Sequence, residues 1–209
     1  LARLDRFLAD RYIAAGKLPC AQLLVARGGR LVHQSVLGHA NLETGQALAD
    51  DSIVRIYSMT KPITSVAFMM LVEEGKVALD DPVHRFIPAW RDLGVHVAAL
   101  PGGGFQTRPT DAPMRMIDLL RHTSGLSYGA IGANPVKQSY LDMKVNDRGQ
   151  TNAEMADKLA KLALLYQPGT TWEYGRSTDV LGHVIERATG QPLDAYLQAR
   201  ILGPLGMKD

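Results

Sequence analysis

Apolar residues recur at helical spacing at the start of the chain, where Leu4, Phe7, Leu8, Tyr12 and Ile13 share one face and Gly16 ends the run, so the pattern predicts an amphipathic helix. The period then changes. Residues 19 to 26 and 31 to 37 are β-prone and flank Arg27-Gly28-Gly29-Arg30, whose paired glycines reach the positive φ angles of a tight turn, predicting an antiparallel hairpin. Residues 41 to 51 are polar around Gly45 and predict a loop, and residues 53 to 57 predict a short strand leading to Ser58. A helix is expected from there to Gly75, with Ile63, Val66, Ala67, Met70 and Leu71 as its buried stripe. Pro62 falls in its first turn, where a missing N–H costs little, and Gly75 suits its C-terminal cap.

Residues 80 to 110 carry Pro82, Pro88, Pro101, Pro109 and three glycines at 102 to 104, which predicts loop. The glycine triplet has neither the following Gly-Lys-Ser/Thr nor the preceding strand of a phosphate loop, and reads as a surface turn. Further helices are expected near 114 to 121, 151 to 165, 177 to 189 and 192 to 200, the third with a stripe of Val180, Leu181, Val184 and Ile185. No internal repeat occurs. Strands at the start and helices after them make an α+β chain. A two-strand ribbon seldom stands alone, so the remaining strands are expected from a second polypeptide segment beyond Asp209.

Composition narrows the class. Of 209 residues, 46% are hydrophobic and 21% charged, which disfavours disordered and fibrous chains. Lys plus Arg number 23 against 21 Asp plus Glu, a balance without the electrostatic footprint of a nucleic-acid binder. Cys20 is the sole cysteine, so no intrachain disulfide can form, and its apolar neighbours mark it as an inert thiol in a strand. Charge interrupts every apolar stretch before eighteen residues, so no membrane span is expected. His33, His39, His84, His96 and His183 lack metal-ligand spacing, and neither a metal nor a cofactor is expected. A cytoplasmic location is the expectation, with the periplasm left open because the chain begins at Leu1.

Candidate chemistry begins at Ser58-Met59-Thr60-Lys61, where three-residue spacing on a helix puts a hydroxyl and an amine on one face. Unpaired N–H groups at the helix start favour negative charge there, and a desolvated neutral lysine can serve as base to a serine nucleophile. The plain alternative is a helix-capping serine beside an exposed lysine. Neither Ser52 nor Ser65 has a lysine three residues on. His122, Ser124 and Asp118 lie too close together for a triad, and no Gly-x-Ser-x-Gly is present.

Longer segments carry a resemblance. Ile56-Tyr57-Ser58-Met59-Thr60-Lys61-Pro62, the stretch from Glu73 to Val83, Leu119-Leu120-Arg121-His122-Thr123-Ser124-Gly125-Leu126, and Gly190 with Pro204-Leu205-Gly206-Met207 resemble the serine β-lactamase and penicillin-binding-protein superfamily. The likeness is to its class C-like esterases, the family VIII carboxylesterases, over nearly the whole chain. It implies a β-lactamase-like (DD-peptidase) fold, an antiparallel sheet with helices and the site at their junction. Residues 1–209 would be the N-terminal portion of one catalytic domain, with an α/β part over about 1–80 and a mainly helical part over about 81–209. Its C-terminal strands and a Lys-Thr-Gly-like third motif would lie outside.

The resemblance further implies that Tyr174, in Gln167-Pro168-Gly169-Thr170-Thr171-Trp172-Glu173-Tyr174-Gly175-Arg176, faces Ser58 and Lys61 and relays the proton. Such a phenol needs nearby cations to lose its proton below about 10. Tyr57, Trp172 and Arg176 are the implied substrate-binding residues; Trp172, like Trp90, is equally suited to core packing. Arg176 stands where the family usually has Asn. That departure shifts weight from lactams to simple esters, and leaves Arg176 either to attract a carboxylate or to pair with Asp179. His122 to Leu126 would be a structural turn. The implied function is a serine hydrolase of small-molecule carboxylic esters through an acyl-Ser58 intermediate. β-Lactam hydrolysis, D-Ala-D-Ala carboxypeptidase action and acyl transfer to an alcohol are variants, and a non-catalytic binding or assembly protein is the alternative from another class.

Overall fold

The computed structural model describes residues 1–102, 104–129 and 134–208. Contacts divide the chain into two compact units, Leu1–Ile56 and Tyr57–Lys208.

In the first unit, helix α1 (Ala2–Leu8) continues into a wider helical turn, Ala9–Ile13, and Gly16 follows at φ 66°. Strands β1 (Cys20–Arg27) and β2 (Arg30–Asn41) pair antiparallel from Cys20↔Gly38 to Arg27↔Arg30. Gly28 and Gly29 turn the hairpin at φ 58° and 73°, angles at which a side chain would be strained. The polar stretch expected to be loop contains β3 (Gln46–Ala47), which pairs with the end of β2 at His39↔Ala47. A two-residue strand carries no alternation by which to recognise it. The strand expected at 53 to 57 does not form: Ile53 and Val54 are 81% and 64% exposed, and no ladder among the described residues takes them up. Their β-branched side chains satisfy strand propensity, but a strand requires a partner. No residue from 1 to 56 is fully buried, and Leu24, Leu31 and Val32 are exposed.

The second unit begins with a tight helical turn, Tyr57–Met59, that feeds α2 (Thr60–Glu73). Gly75 at φ 71° ends the helix, and the Lys76 N–H donates to the Leu71 carbonyl at 2.9 Å. Its buried face is Thr64, Ala67, Phe68 and Leu71, while Val66 is exposed. The helix is thus rotated from the expected stripe toward Thr64 and Phe68. Where proline and glycine suggested loop, β4 (Gly94–Ala99) and β5 (Phe105–Pro109) form an antiparallel hairpin. Gly102 and Gly104 lie in its turn; Gly103 is outside the described residues.

Helix α3 (Met116–Leu120) holds the first two residues of the segment Leu119 to Leu126, and α4 (Pro135–Asp142), which the sequence reading missed, is capped by the Asn134 side chain accepting from the Val136 N–H at 2.8 Å. Helix α5 (Asn152–Leu159) stops short of the expected 165. Leu164 instead hydrogen-bonds alongside β4 through its N–H to the Gly94 carbonyl and its carbonyl from the His96 N–H. Helix α6 (Ser177–Thr189) is the spine: α2, α3, α5 and α7 (Leu193–Leu197) all pack on it. Its expected stripe of Val180, Leu181, Val184 and Ile185 is fully buried, and Gly190 ends it at φ 69°.

Candidate active site

Ser58 lies in the turn ahead of α2 and Lys61 in the first turn of the helix itself. This spacing brings Lys61 Nζ to 3.4 Å from Ser58 Oγ. Tyr57 makes the entry possible by taking φ 43°, a conformation rare for a bulky residue, and leaves its ring 71% exposed.

The segment from His122 to Ser127 supports the stretch that carries Tyr174. Gly125 adopts φ 83°, and a Cβ there would lie 2.3 Å from the Tyr166 carbonyl oxygen. Buried Asp118 accepts from the Arg115 N–H at 2.9 Å and the Thr123 hydroxyl at 3.1 Å. Ser124 Oγ sits 2.8 Å from Ser177 Oγ. Asp118 and Ser124 therefore hold a turn, and among the described residues neither hydrogen-bonds the His122 ring, so the three form no triad. The turn's carbonyls receive the next segment: Thr123 accepts from the Gly169 N–H at 2.8 Å and His122 from the Glu173 N–H at 2.9 Å. Gly175 lies so close that a Cβ would be 2.7 Å from both the Leu126 oxygen and Ser127 Cα. Tyr174 is fixed between these contacts.

There its hydroxyl donates to Ser58 Oγ at 2.8 Å, across 116 residues of sequence. Lys61 Nζ lies 4.9 Å from the Tyr174 ring centroid and donates to Tyr128 Oη at 3.1 Å. The Lys61 ammonium, followed by the Ser58 hydroxyl, holds the Tyr174 phenol below its ordinary value. Burial works against the charge on Lys61, but the oxygens of Tyr174 and Tyr128 outweigh it and its pKa is raised. Both directions run against a neutral lysine base: the tyrosine proton is loosened and the ammonium retained. His122, its ring 5.0 Å from that of Tyr174, is pushed down by burial and by Lys61, which favours a neutral imidazole.

Ser58, Lys61, Tyr57, Thr64, Tyr128 and Thr178 line a cavity of about 300 Å³. A larger one, about 600 Å³ between the β4–β5 hairpin and α4, holds none of the predicted site residues. Trp172 is 64% exposed, its ring 6.2 Å from Tyr174 at an interplanar angle of 21°. Trp90 is a core residue, its indole donating to the Ala156 carbonyl at 3.1 Å. Arg176 pairs with Asp179 at 3.0 Å, the partner its sequence neighbours suggested. Tyr128 escaped the sequence reading, although it stands just two residues beyond the marker ending at Leu126. Among the described residues, no His, Cys, Asp and Glu cluster could hold a metal, and no helix is long and apolar enough to cross a membrane.

The chain has counterparts among known proteins. The chain is 37% identical to esterase EstB of Burkholderia gladioli, across all of this chain and 50% of that protein. Its fold matches that of EstCE1, described as a hydrolase with promiscuous acyltransferase activity, with a TM-score of 0.82 and 28% identity over 99% of this chain and 52% of the other. The octameric penicillin-binding protein homologue from Pyrococcus abyssi aligns with a TM-score of 0.74 and 26% identity, covering 99% of this chain and 43% of the other. The chain thus spans about half the length of these relatives. Residues 6–209 match the family described as Beta-lactamase, and with an α+β, β-lactamase-like fold and the relatedness to EstB, the chain belongs to that family of serine β-lactamases, penicillin-binding proteins and related esterases.

Proposed function

We propose that the protein is a serine hydrolase of small carboxylic esters, working through an acyl-Ser58 intermediate. The observation that carries this is the 2.8 Å contact between Tyr174 Oη and Ser58 Oγ, with Lys61 beside both. Tyr174 as phenolate takes the Ser58 proton while Oγ bonds to the ester carbonyl carbon, and the resulting oxyanion rests on backbone N–H groups, that of Ser58 among them. Tyr174 passes the proton to the departing alkoxide as the ester C–O bond breaks. Water then attacks the acyl carbon, giving a proton to Tyr174, and the acid leaves as that proton returns to Ser58 Oγ. Lys61 stays an ammonium and keeps the phenolate accessible.

Acyl transfer to an alcohol is the second reading, because an alcohol can replace water in the last step and EstCE1 is described as having both activities. Arg176 in place of the usual Asn favours esters over β-lactams, and the close Ser58, Lys61 and Tyr174 contacts argue against a non-catalytic scaffold. The second oxyanion donor and further strands come, in this reading, from sequence beyond these 209 residues, which the relatives' double length supports. The test incubates the full-length protein with p-nitrophenyl butyrate, nitrocefin and a serine-directed phosphonate, then weighs the protein and maps the adduct. Butyrate turnover and a single adduct on Ser58 are expected; neither turnover nor adduct would end the enzyme reading, and much faster nitrocefin cleavage would make it a lactamase.

A further inference from the structure

Arg176 occupies the position two residues beyond Tyr174, next to the reacting groups, yet its guanidinium is already engaged on its edges and its face. Nη1 donates to Asp179 Oδ1 at 3.0 Å, and Nε donates to Asn146 Oδ1 at 3.1 Å, with Nη2 on the same oxygen. The guanidinium carbon stands 4.8 Å over the ring centroid of Tyr128. Asn146 completes the frame by donating from Nδ2 to the Tyr128 carbonyl at 3.1 Å. Both the ring and the backbone of Tyr128 are therefore fixed by one planar group and its partner. Tyr128 Oη, in turn, accepts from Lys61 Nζ at 3.1 Å, and the Tyr128 and Tyr174 rings lie 5.3 Å apart. The side chain of Arg176 is only 18% exposed, which leaves little of it for a substrate.

We propose that Arg176 is a positioning residue that fixes Tyr128, and through Tyr128 the Lys61 ammonium, rather than a receptor for a substrate carboxylate. The assignment rests on the acyl-Ser58 reading. A planar, forked cation is required because it must stack on a ring and grip Asn146 and Asp179 at once; a lysine of equal charge, a point cation without the fork, cannot do all three together. Without the hold, Lys61 drifts from the phenol it perturbs. The groups facing this ammonium and phenol are Ser58, Tyr128, Tyr174 and His122, with Asp179 and Arg176 behind them.

The experiment measures kcat and KM across pH on the full-length protein with two esters sharing a leaving group, p-nitrophenyl butyrate and the p-nitrophenyl half-ester of adipic acid. Arg176→Ala, Arg176→Lys and Tyr128→Phe are expected to lower kcat on both esters by about tenfold, the scale of a small misplacement. The acid limb of kcat/KM should move to higher pH in all three, with the ratio of the two KM values within about twofold of wild type. The Arg176→Ala/Tyr128→Phe double variant should be no worse than the poorer single one, as expected for residues in one chain of contacts. A KM rise confined to the adipate half-ester would make Arg176 a carboxylate receptor and overturn the proposal. Recovery of the acid limb by Arg176→Lys would assign the effect to charge and overturn it equally. Tyr128→Phe guards against an Arg176 variant that fails to fold, since an unchanged profile there also refutes the idea. Wild-type protein that turns over neither ester and takes no phosphonate on Ser58 brings down the acyl-Ser58 reading itself.

Discussion

At the scale of residues, the division of labour between Lys61 and Tyr174 follows from their opposite perturbations. Tyr174 acts as a base only when deprotonated, and its pKa is lowered chiefly by Lys61. Activity is therefore present above the Tyr174 pKa and lost as pH falls through it. Removing the ammonium in Lys61→Ala should carry the acid limb of the residual activity toward the ordinary tyrosine value near 10; a limb that stays in place would show that Lys61 does not set it. Tyr174→Phe keeps the ring and loses the proton carrier. Its kcat is expected to fall about 10²- to 10⁴-fold with little change in KM, measured by steady-state ester hydrolysis, and near-wild-type turnover would remove Tyr174 from the mechanism. The spacing of Ser58 and Lys61 put a hydroxyl and an amine within mutual reach but did not by itself distinguish a nucleophile from a helix cap; the flanking segments and their resemblance did. Tyr174 was legible only through resemblance, since its contact spans 116 residues. Tyr128 was not legible: a tyrosine is more often a packing residue than a partner to a lysine, and its place depends on Asn146 and Arg176, which are brought to it by separate segments.

At the scale of elements, helices with a strong stripe and a glycine stop were readable, as α6 with Gly190 illustrates, whereas short elements that depend on remote partners were not. The β4–β5 hairpin hid behind its prolines and glycines because its pairing is fixed partly by Leu164, far away in sequence. The run Leu162 to Leu165 looked helical because an apolar stretch of that length suits a buried helix or a buried extended segment equally. Helix α5 begins with Thr151 Oγ1 accepting from the Glu154 N–H at 3.2 Å, while Glu154 accepts from the Thr151 N–H at 2.7 Å. Thr151→Ala should cost about 1 kcal/mol in chemical denaturation without altering kcat; an unchanged midpoint would mean that tertiary packing alone holds the helix start. Gly175→Ala tests the cradle of Tyr174. A methyl 2.7 Å from Leu126 and Ser127 backbone atoms must push the segment away, so ester turnover should drop at least about tenfold and stability by about 1–3 kcal/mol. Wild-type kinetics in this variant would show that the close packing does not position Tyr174.

At the scale of the whole molecule, the two units differ in how their surfaces are satisfied. Residues 57 to 208 enclose a continuous core in which Phe68, Leu119, Leu181 and Ile185 are fully buried. Residues 1 to 56 have hydrogen-bonded strands and no fully buried residue, with Leu24, Leu31 and Val32 left exposed on β1 and β2. Apolar burial is what offsets the conformational entropy of ordering a chain, and a small sheet whose better-covered face is only half-buried has little to set against that cost. The ladder should accordingly open easily in a polypeptide of residues 1–209 alone. Hydrogen exchange by mass spectrometry on that polypeptide is expected to find the β1 and β2 amides exchanging at least about a hundredfold faster than those of α6, the gap that separates local from global opening. In the full-length protein, the same β1 and β2 amides should slow as added strands cover them. Equal protection of β1, β2 and α6 in residues 1–209 alone would show that the sheet is stable without further strands, and would refute the proposal that sequence beyond Asp209 completes it.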